Sequence, residues 1–300
     1  MDPTTRTRIR TAVFLIVAVL VVLALGSLGF YGKLLLASVA LLVLAICCYE
    51  LVQMRKIELQ RLFPSAASGE WRIALCAHWM LLISGPLMLW IAYLALYSAA
   101  WSELQEVAPL LLIVGCVVVF SHWASLFMRF RDSKESLSEQ IAVLTPAILL
   151  VCLGGTFFVA LCFSSFAVNA LFWLILVTSC NDSAAYFIGK RWGRDKLAPA
   201  LSPKKTIVGS LAGLLGGASA GALAVGILPQ LSSSADAALL ALLVVASAQL
   251  GDLTKSFVKR VYQVKDSGTI LPGHGGVLDR VDSLLASAWL MVLLLPSLAG

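Results

Sequence analysis

Long apolar runs recur along the chain, separated by shorter polar segments: 12–30, 34–54, 73–97, 108–128, 141–162, 167–188, 207–228, 237–254 and 283–298. A helix needs about 20 apolar residues to cross the hydrocarbon core of a bilayer. Each run therefore predicts a spanning helix, because an isolated span can satisfy its backbone polar groups only within itself. The predicted fold class is all-α, a polytopic membrane protein of about nine transmembrane helices. Gly85-Pro86 should kink the third of them. The first run follows Arg6, Arg8 and Arg10 in the manner of a signal peptide. It is long for a signal h-region and has no convincing small-x-small cleavage site, so it reads as the first transmembrane helix.

Composition agrees: 60% of the residues are hydrophobic and 13% charged, about half the charged share of a soluble domain. Charge then orients the spans. Of the 22 basic residues, all but Lys33 fall before the first helix or after the second, fourth, sixth and eighth. The positive-inside rule makes those segments cytoplasmic, with the N-terminus inside. The net charge of +6 is thereby assigned to a membrane face and its lipids, and nucleic acid is excluded as a partner. Localisation in the cell (inner, plasma) membrane follows, with an N-terminal transmembrane region (1–166) and a C-terminal catalytic transmembrane region (167–300). The catalytic region contains cytoplasmic loops 189–206 and 255–282. The seven cysteines lie in apolar runs without metal-site or disulfide spacing and read as small packing residues.

Carboxylates in apolar runs cost at least about 2.5 kcal/mol each on insertion scales and usually mark a functional or paired site. Glu50 lies near the cytoplasmic end of the second run beside Arg55, which favours a snorkelling or surface-paired carboxylate. Asp182, within Asn181-Asp182-Ser183, and Asp252, within Gln249-Leu250-Gly251-Asp252, point instead to function. Further on come Pro272-Gly273-His274-Gly275-Gly276 and Asp279-Arg280-Val281-Asp282. Asp279 and Asp282 share a helix face if the ninth helix starts before them. The glycines would let backbone N–H groups approach an anion at that helix N-terminus. Oxygen ligands of this kind suit Mg²⁺ shared with substrate phosphates, and the interleaved lysines and arginines would hold those phosphates. A glycine-rich turn with a surface ion pair is the plainer account. The density of carboxylates, bases and glycines at one membrane face favours a metal-assisted site for phosphate-bearing substrates.

The run Ser256-Phe257-Val258-Lys259-Arg260, Lys265-Asp266-Ser267-Gly268 and Leu271 through Asp282 resembles the signature of the phosphatidate cytidylyltransferase (CDP-diacylglycerol synthase) family at every fixed position. Asn181 to Tyr186, Gly189, Gly193-Arg194 and Ser202-Pro203-Lys204-Lys205-Thr206 are also similar to that family. Val208 departs from it where Glu is expected, and Ala212-Gly213 replaces two glycines. The resemblance covers residues 178–283 well and the first half only in its helix pattern. It implies an enzyme that takes CTP and phosphatidic acid to CDP-diacylglycerol and pyrophosphate at the cytoplasmic face. Its cofactor would be Mg²⁺, alone or with a second cation, and its assembly a homodimer. Metal ligands would fall on Asp252 and Asp279, with Asp282 either a third ligand or the partner of a neighbouring base. Nucleotide and phosphate contacts would fall on Ser202, Lys204, Lys205, Thr206, Lys259, Arg260 and Lys265, with Arg280 and Asp182 beside them.

The lipid phosphate is already an anion near neutral pH, so the chemical difficulty is repulsion rather than deprotonation. Charge neutralisation and positioning should supply most of the catalysis. His274 is a candidate acid or hydrogen-bond donor, with a structural role equally open. His78 and His122, in apolar runs, read as packing residues. Two other functions are compatible with parts of the pattern. One is a paralogue acting on another membrane lipid phosphate, which Val208 and Ala212 leave room for. The other is an anion transporter, disfavoured because neither repeated halves nor mid-membrane Lys/Arg is present.

Overall fold

The computed structural model describes residues 3–62, 146–147 and 149–298. The third and fourth predicted spans, with His78, His122, Cys76 and Cys116, lie outside the described residues. The protein is mostly helical. Helix α1 (Pro3–Gly26) turns at Gly29, whose φ of 65° is left-handed, into α2 (Gly29–Leu62). At about 1.5 Å per residue, the 34 residues of α2 exceed a hydrocarbon core about 30 Å thick. A π-helical turn (Leu149–Leu153) leads into α3 (Gly154–Phe163), followed by α4 (Ala167–Trp192). Two short strands, β1 (Lys196–Ala198) and β2 (Ser202–Thr206), precede α5 (Ile207–Leu223). Helices α6 (Ser234–Val261) and α7 (Leu278–Leu298) complete the order.

Among the described residues four helices are long and apolar enough to cross a membrane: Arg6–Gly26, Gly29–Glu58, Ala167–Trp192 and Ser234–Val261. Leu149–Phe163 and Ile207–Leu223 are apolar but shorter. The run 207–228 predicts one span, but the α-helix ends at Leu223 and the chain passes through a 3₁₀ turn at Val225–Ile227. Segment 189–206 is not irregular. Helix α4 extends through Trp192, and β1 and β2 then pair antiparallel with Lys196 opposite Thr206 and Ala198 opposite Ser202. This ribbon adds a small β element to the predicted all-α fold. Segment 255–282 is also more ordered than expected, because α6 continues through Lys255, Lys259 and Arg260 and α7 starts at Leu278.

Helix α5 packs between α4 and α6, α6 packs on α7, and α7 on α3; α3 then meets α2 and α2 meets α1. Gly209, Gly213, Gly217 and Gly221, spaced four apart, form the buried face of α5. A Cβ at Gly213 would lie 2.6 Å from Asn181 Oδ1, and one at Gly217 would lie 2.5 Å from Val245 Cγ1. The glycines thus let three helix backbones approach closely, as small residues do in membrane interfaces. The buried core includes Trp173, Leu174, Val177, Leu240, Val244, Leu285, Met291 and Leu295.

Candidate active site

Where α4, α5 and α6 come together near the β-ribbon, they enclose a cavity of about 660 Å³, within the usual range of ligand pockets. Its wall includes Asp182 on α4, Lys204, Lys205 and Thr206 on the ribbon, Asp252 and Lys255 on α6, and Asp279 and Asp282 on α7. The geometry follows from helix periodicity. Asp252 and Lys255 are three apart on α6, as are Asp279 and Asp282 on α7, so each pair projects from one face.

Lys255 lies at the centre. Its ammonium is 2.8 Å from Asp252 Oδ1, 2.9 Å from Asp282 Oδ2 and 3.7 Å from Asp279 Oδ1. The side chain is buried, with 7% of the residue exposed. Lys205 pairs with the other oxygen of Asp252, and Lys259 donates to Asp279 Oδ1 at 2.7 Å. Burial alone would raise the Asp279 carboxyl. The Lys259 contact and the Ser267 N–H outweigh it and hold the group below the usual carboxylate range. Three ammonium groups thus hold together three carboxylates that would otherwise repel at close range.

Glu50 is not at the surface. It is 1% exposed, and its carboxylate accepts from Val277 N at 2.8 Å, Leu278 N at 2.9 Å and Ser267 Oγ at 2.9 Å. Arg55, the partner expected for it, instead pairs with Glu58. Position in the sequence placed Glu50 near the end of an apolar run, but α2 continues to Leu62, so the residue sits inside the bundle. The anion at the α7 N-terminus is therefore the protein's own carboxylate, where the glycine-rich approach predicted a ligand.

The remaining predicted residues divide by role. Arg260 Nε donates to Leu201 O at 3.1 Å and holds the ribbon turn. Arg280 Nη2 donates to His274 O at 2.7 Å and shapes the loop. Thr206 caps α5, accepting from Gly209 N at 3.1 Å. Ser202 opens β2, Lys265 is exposed, and the cavity wall includes neither, nor His274. His274 Nδ1 is buried without a hydrogen-bond partner among the described residues. Val208 is 39% exposed and is not part of the cavity wall, although its neighbours Gly209 and Ser210 are. Three residues that sequence reasoning left out of the site belong to it: Lys255, Gln249 and Asn181. Gln249 Nε2 donates to Asn181 Oδ1 at 2.8 Å, and Asn181 Nδ2 donates to Asp182 Oδ1 at 2.9 Å, which ties α4 to α6 across the cavity. Their signal was present, since amides inside apolar runs next to Asp182 and Asp252 are costly unless paired.

The carboxylates offer hard oxygen donors, the chemistry Mg²⁺ takes. Among the described residues no group of three His, Cys, Asp or Glu side chains forms a ready ligand set, because ammonium groups occupy the space between them. Asp282 Oδ2, near Lys255 by distance, accepts no aligned hydrogen bond and is buried. Asp252, with 30% of its side chain exposed, keeps hard oxygen donors at the cavity wall, the donor type a divalent cation takes.

Comparison with known proteins decides the family. The cytidylyltransferase family model matches residues 6–298. The chain belongs to that family. It is 32% identical over 240 residues to a phosphatidate cytidylyltransferase of Bacillus subtilis, covering 68% of this chain and 87% of the relative. It is 46% identical over 128 residues to one of Brucella suis, covering 43% of this chain and 47% of the relative. A Synechocystis phosphatidate cytidylyltransferase is 46% identical over 131 residues, 41% of this chain and 44% of the relative. The match thus spans about half the length of the Brucella and Synechocystis relatives.

Proposed function

We propose that the chain transfers the cytidylyl group of CTP to phosphatidic acid, giving CDP-diacylglycerol and pyrophosphate, in the cell membrane. The observation that carries this is the set of ammonium groups and carboxylates around one cavity in a membrane protein of the cytidylyltransferase family. A phosphate oxygen of phosphatidic acid attacks the α-phosphorus of CTP, a P–O bond forms, and the bond to the bridging oxygen breaks to release pyrophosphate. The nucleophile is an anion, so no strong base is needed. Lys204 and Lys205 hold the triphosphate and offset the charge of the two approaching phosphates. Asp252, Asp279 and Asp282 would hold Mg²⁺, which supplies charge neutralisation shared with the phosphates. Lys255 and Lys259 fix those carboxylates, and the Asn181–Gln249 contact keeps the helices that carry them in register. A homodimer, nine spans and a cytoplasmic N-terminus are part of the same reading, supported by the family and by the distribution of basic residues.

The test is incorporation of radiolabelled CTP into lipid by purified protein with Mg²⁺ and a panel of lipid phosphates. Phosphatidic acid should be the preferred acceptor. Preference for a different lipid phosphate would replace the acceptor and keep the chemistry, and no incorporation with any of them would reject the reaction.

Two further outcomes are expected. The ribbon and the segment before α7 lie at one end of the bundle, since Lys205 reaches Asp252 and Thr11 Oγ1 of α1 donates to Pro272 O at 3.1 Å. Single cysteines at the exposed positions 196 and 265, in a cysteine-free background, should react with an impermeant maleimide only after the cells are opened. Reaction of either in intact cells would reverse the topology. Lys205→Arg should insert normally and lose most CTP-dependent turnover, because a wide planar guanidinium does not replace a compact ammonium against Asp252 and a triphosphate. Turnover near wild type would reduce this lysine to a topological anchor.

A further inference from the structure

We propose that Glu50 is a positioning residue of the site, setting the Asp279 carboxylate through Ser267 and through the first turn of α7. The inference rests on the cytidylyl-transfer reading. It starts from a carboxylate contributed by α2, far in sequence from the rest of the site, that is buried at 1% exposure and meets three donors. Two are the backbone N–H groups of Val277 and Leu278, at 2.8 and 2.9 Å, and the third is the Ser267 hydroxyl at 2.9 Å.

Ser267 is the link. Its N–H donates to Asp279 Oδ2 at 2.9 Å, and its Oγ lies 3.1 Å from that same oxygen while also contacting Glu50 Oε2. One hydroxyl proton therefore stands between two carboxylates, and a shift of either changes what the other receives. The backbone is pressed onto Glu50 from both sides: a Cβ at Gly268 would lie 2.7 Å from Glu50 Oε1, and one at Gly276 would lie 2.5 Å from Oε2. Loop 266–268, the start of α7 and the side chain of Asp279 thus share one anchor. A helix cap alone would need only the two N–H groups. The hydroxyl contact, which continues to a carboxylate of the cavity wall, is what extends the anchor to the chemistry.

Glutamine keeps the shape but replaces one acceptor by a donor. Three donors then converge on one oxygen and an NH₂ group, and at least one contact is lost. The full chain carrying Glu50→Gln, Ser267→Ala or both should be purified in detergent and assayed for kcat and for KM toward CTP, with melting temperature and hydrogen exchange measured on the same samples. Glu50→Gln should lower kcat by about 10- to 100-fold, the effect typical of residues that orient a ligand, with KM for CTP changed less than about threefold. Exchange should rise at 266–268 and 277–278. Ser267→Ala, which leaves the helix cap in place, should also lower kcat with melting near wild type, and the double variant should be no worse than Glu50→Gln alone. The proposal is overturned by unchanged exchange, by additive losses, or by a Ser267→Ala enzyme with wild-type kcat. A Glu50→Gln protein that melts earlier but turns over normally per folded molecule also overturns it. Should the wild-type chain itself be inactive with every lipid phosphate, the reaction is rejected, while the exchange result still decides whether Glu50 holds 266–268 and 277–278.

Discussion

Lys255→Met is expected to destabilise the protein by about 3–5 kcal/mol and to reduce turnover by about 100- to 1000-fold. The ammonium lies 2.8 Å from Asp252 and 2.9 Å from Asp282, with Asp279 3.7 Å away. Methionine matches the lysine side chain as far as Cε and removes the ammonium, leaving three carboxylates facing one another. Breaking a buried pair from one side costs more than the pair contributes, because the remaining charge has lost both water and partner. Asp252 keeps Lys205 and Asp279 keeps Lys259, so Asp282 bears most of the loss. Thermal unfolding in detergent and turnover on one sample provide the check. A variant that melts with wild type and retains turnover within about tenfold would show that the carboxylates are held by other means.

Gly276→Ala should damage the same end of the bundle with no change of charge. The added methyl would run into the Ser267 hydroxyl and lie 2.5 Å from Glu50 Oε2 and 2.7 Å from the backbone nitrogen of Gly268. A flexible side chain could yield, but that nitrogen belongs to a loop held to the same carboxylate through the Ser267 hydroxyl. Overpacking of a close-packed site costs about 1–3 kcal/mol, and the displaced loop takes Ser267 away from Asp279. Gly226→Ala is the control, since a Cβ there meets nothing within 4 Å and should alter stability by no more than about 0.5 kcal/mol. Equal activity in the two alanine variants would rule out the close approach at 276.

The helices at 12–30, 34–54, 167–188 and 237–254 were legible because apolar length reports the bilayer directly. Asp182, Asp252 and Asp279 stood out because charge inside or beside an apolar run is expensive, and all three lie in one cavity wall. What a linear pattern could not give was the direction of side chains at helix ends. Lys255 looked like one more base in a cytoplasmic loop, yet one added turn of α6 turns it inward between two aspartates. Glu50 looked paired with Arg55 because the two are neighbours in sequence, whereas its donors are backbone N–H groups, which no residue type announces. The ribbon at 196–206 was missed for a similar reason. Lys196, Lys204 and Lys205 carry no alternation of apolar and polar positions, and pairing is set instead by the turn after Ala198 and by Arg260 holding Leu201.

The position of Glu50 also bears on how the protein is made. Its partner Val277 lies 227 residues later in the chain. At about 5–20 residues per second, α2 is complete roughly 10–45 s before the backbone that will hold its carboxylate has left the ribosome. For that interval the acid is without these donors, and a carboxylate in an apolar span is costly until it is paired. Helices α6 and α7, which follow α2 in the chain, bring Lys255, Ser267 and the capped turn together. This end of the bundle therefore closes only after the chain has passed Leu278, and until then Glu50 lacks its three donors.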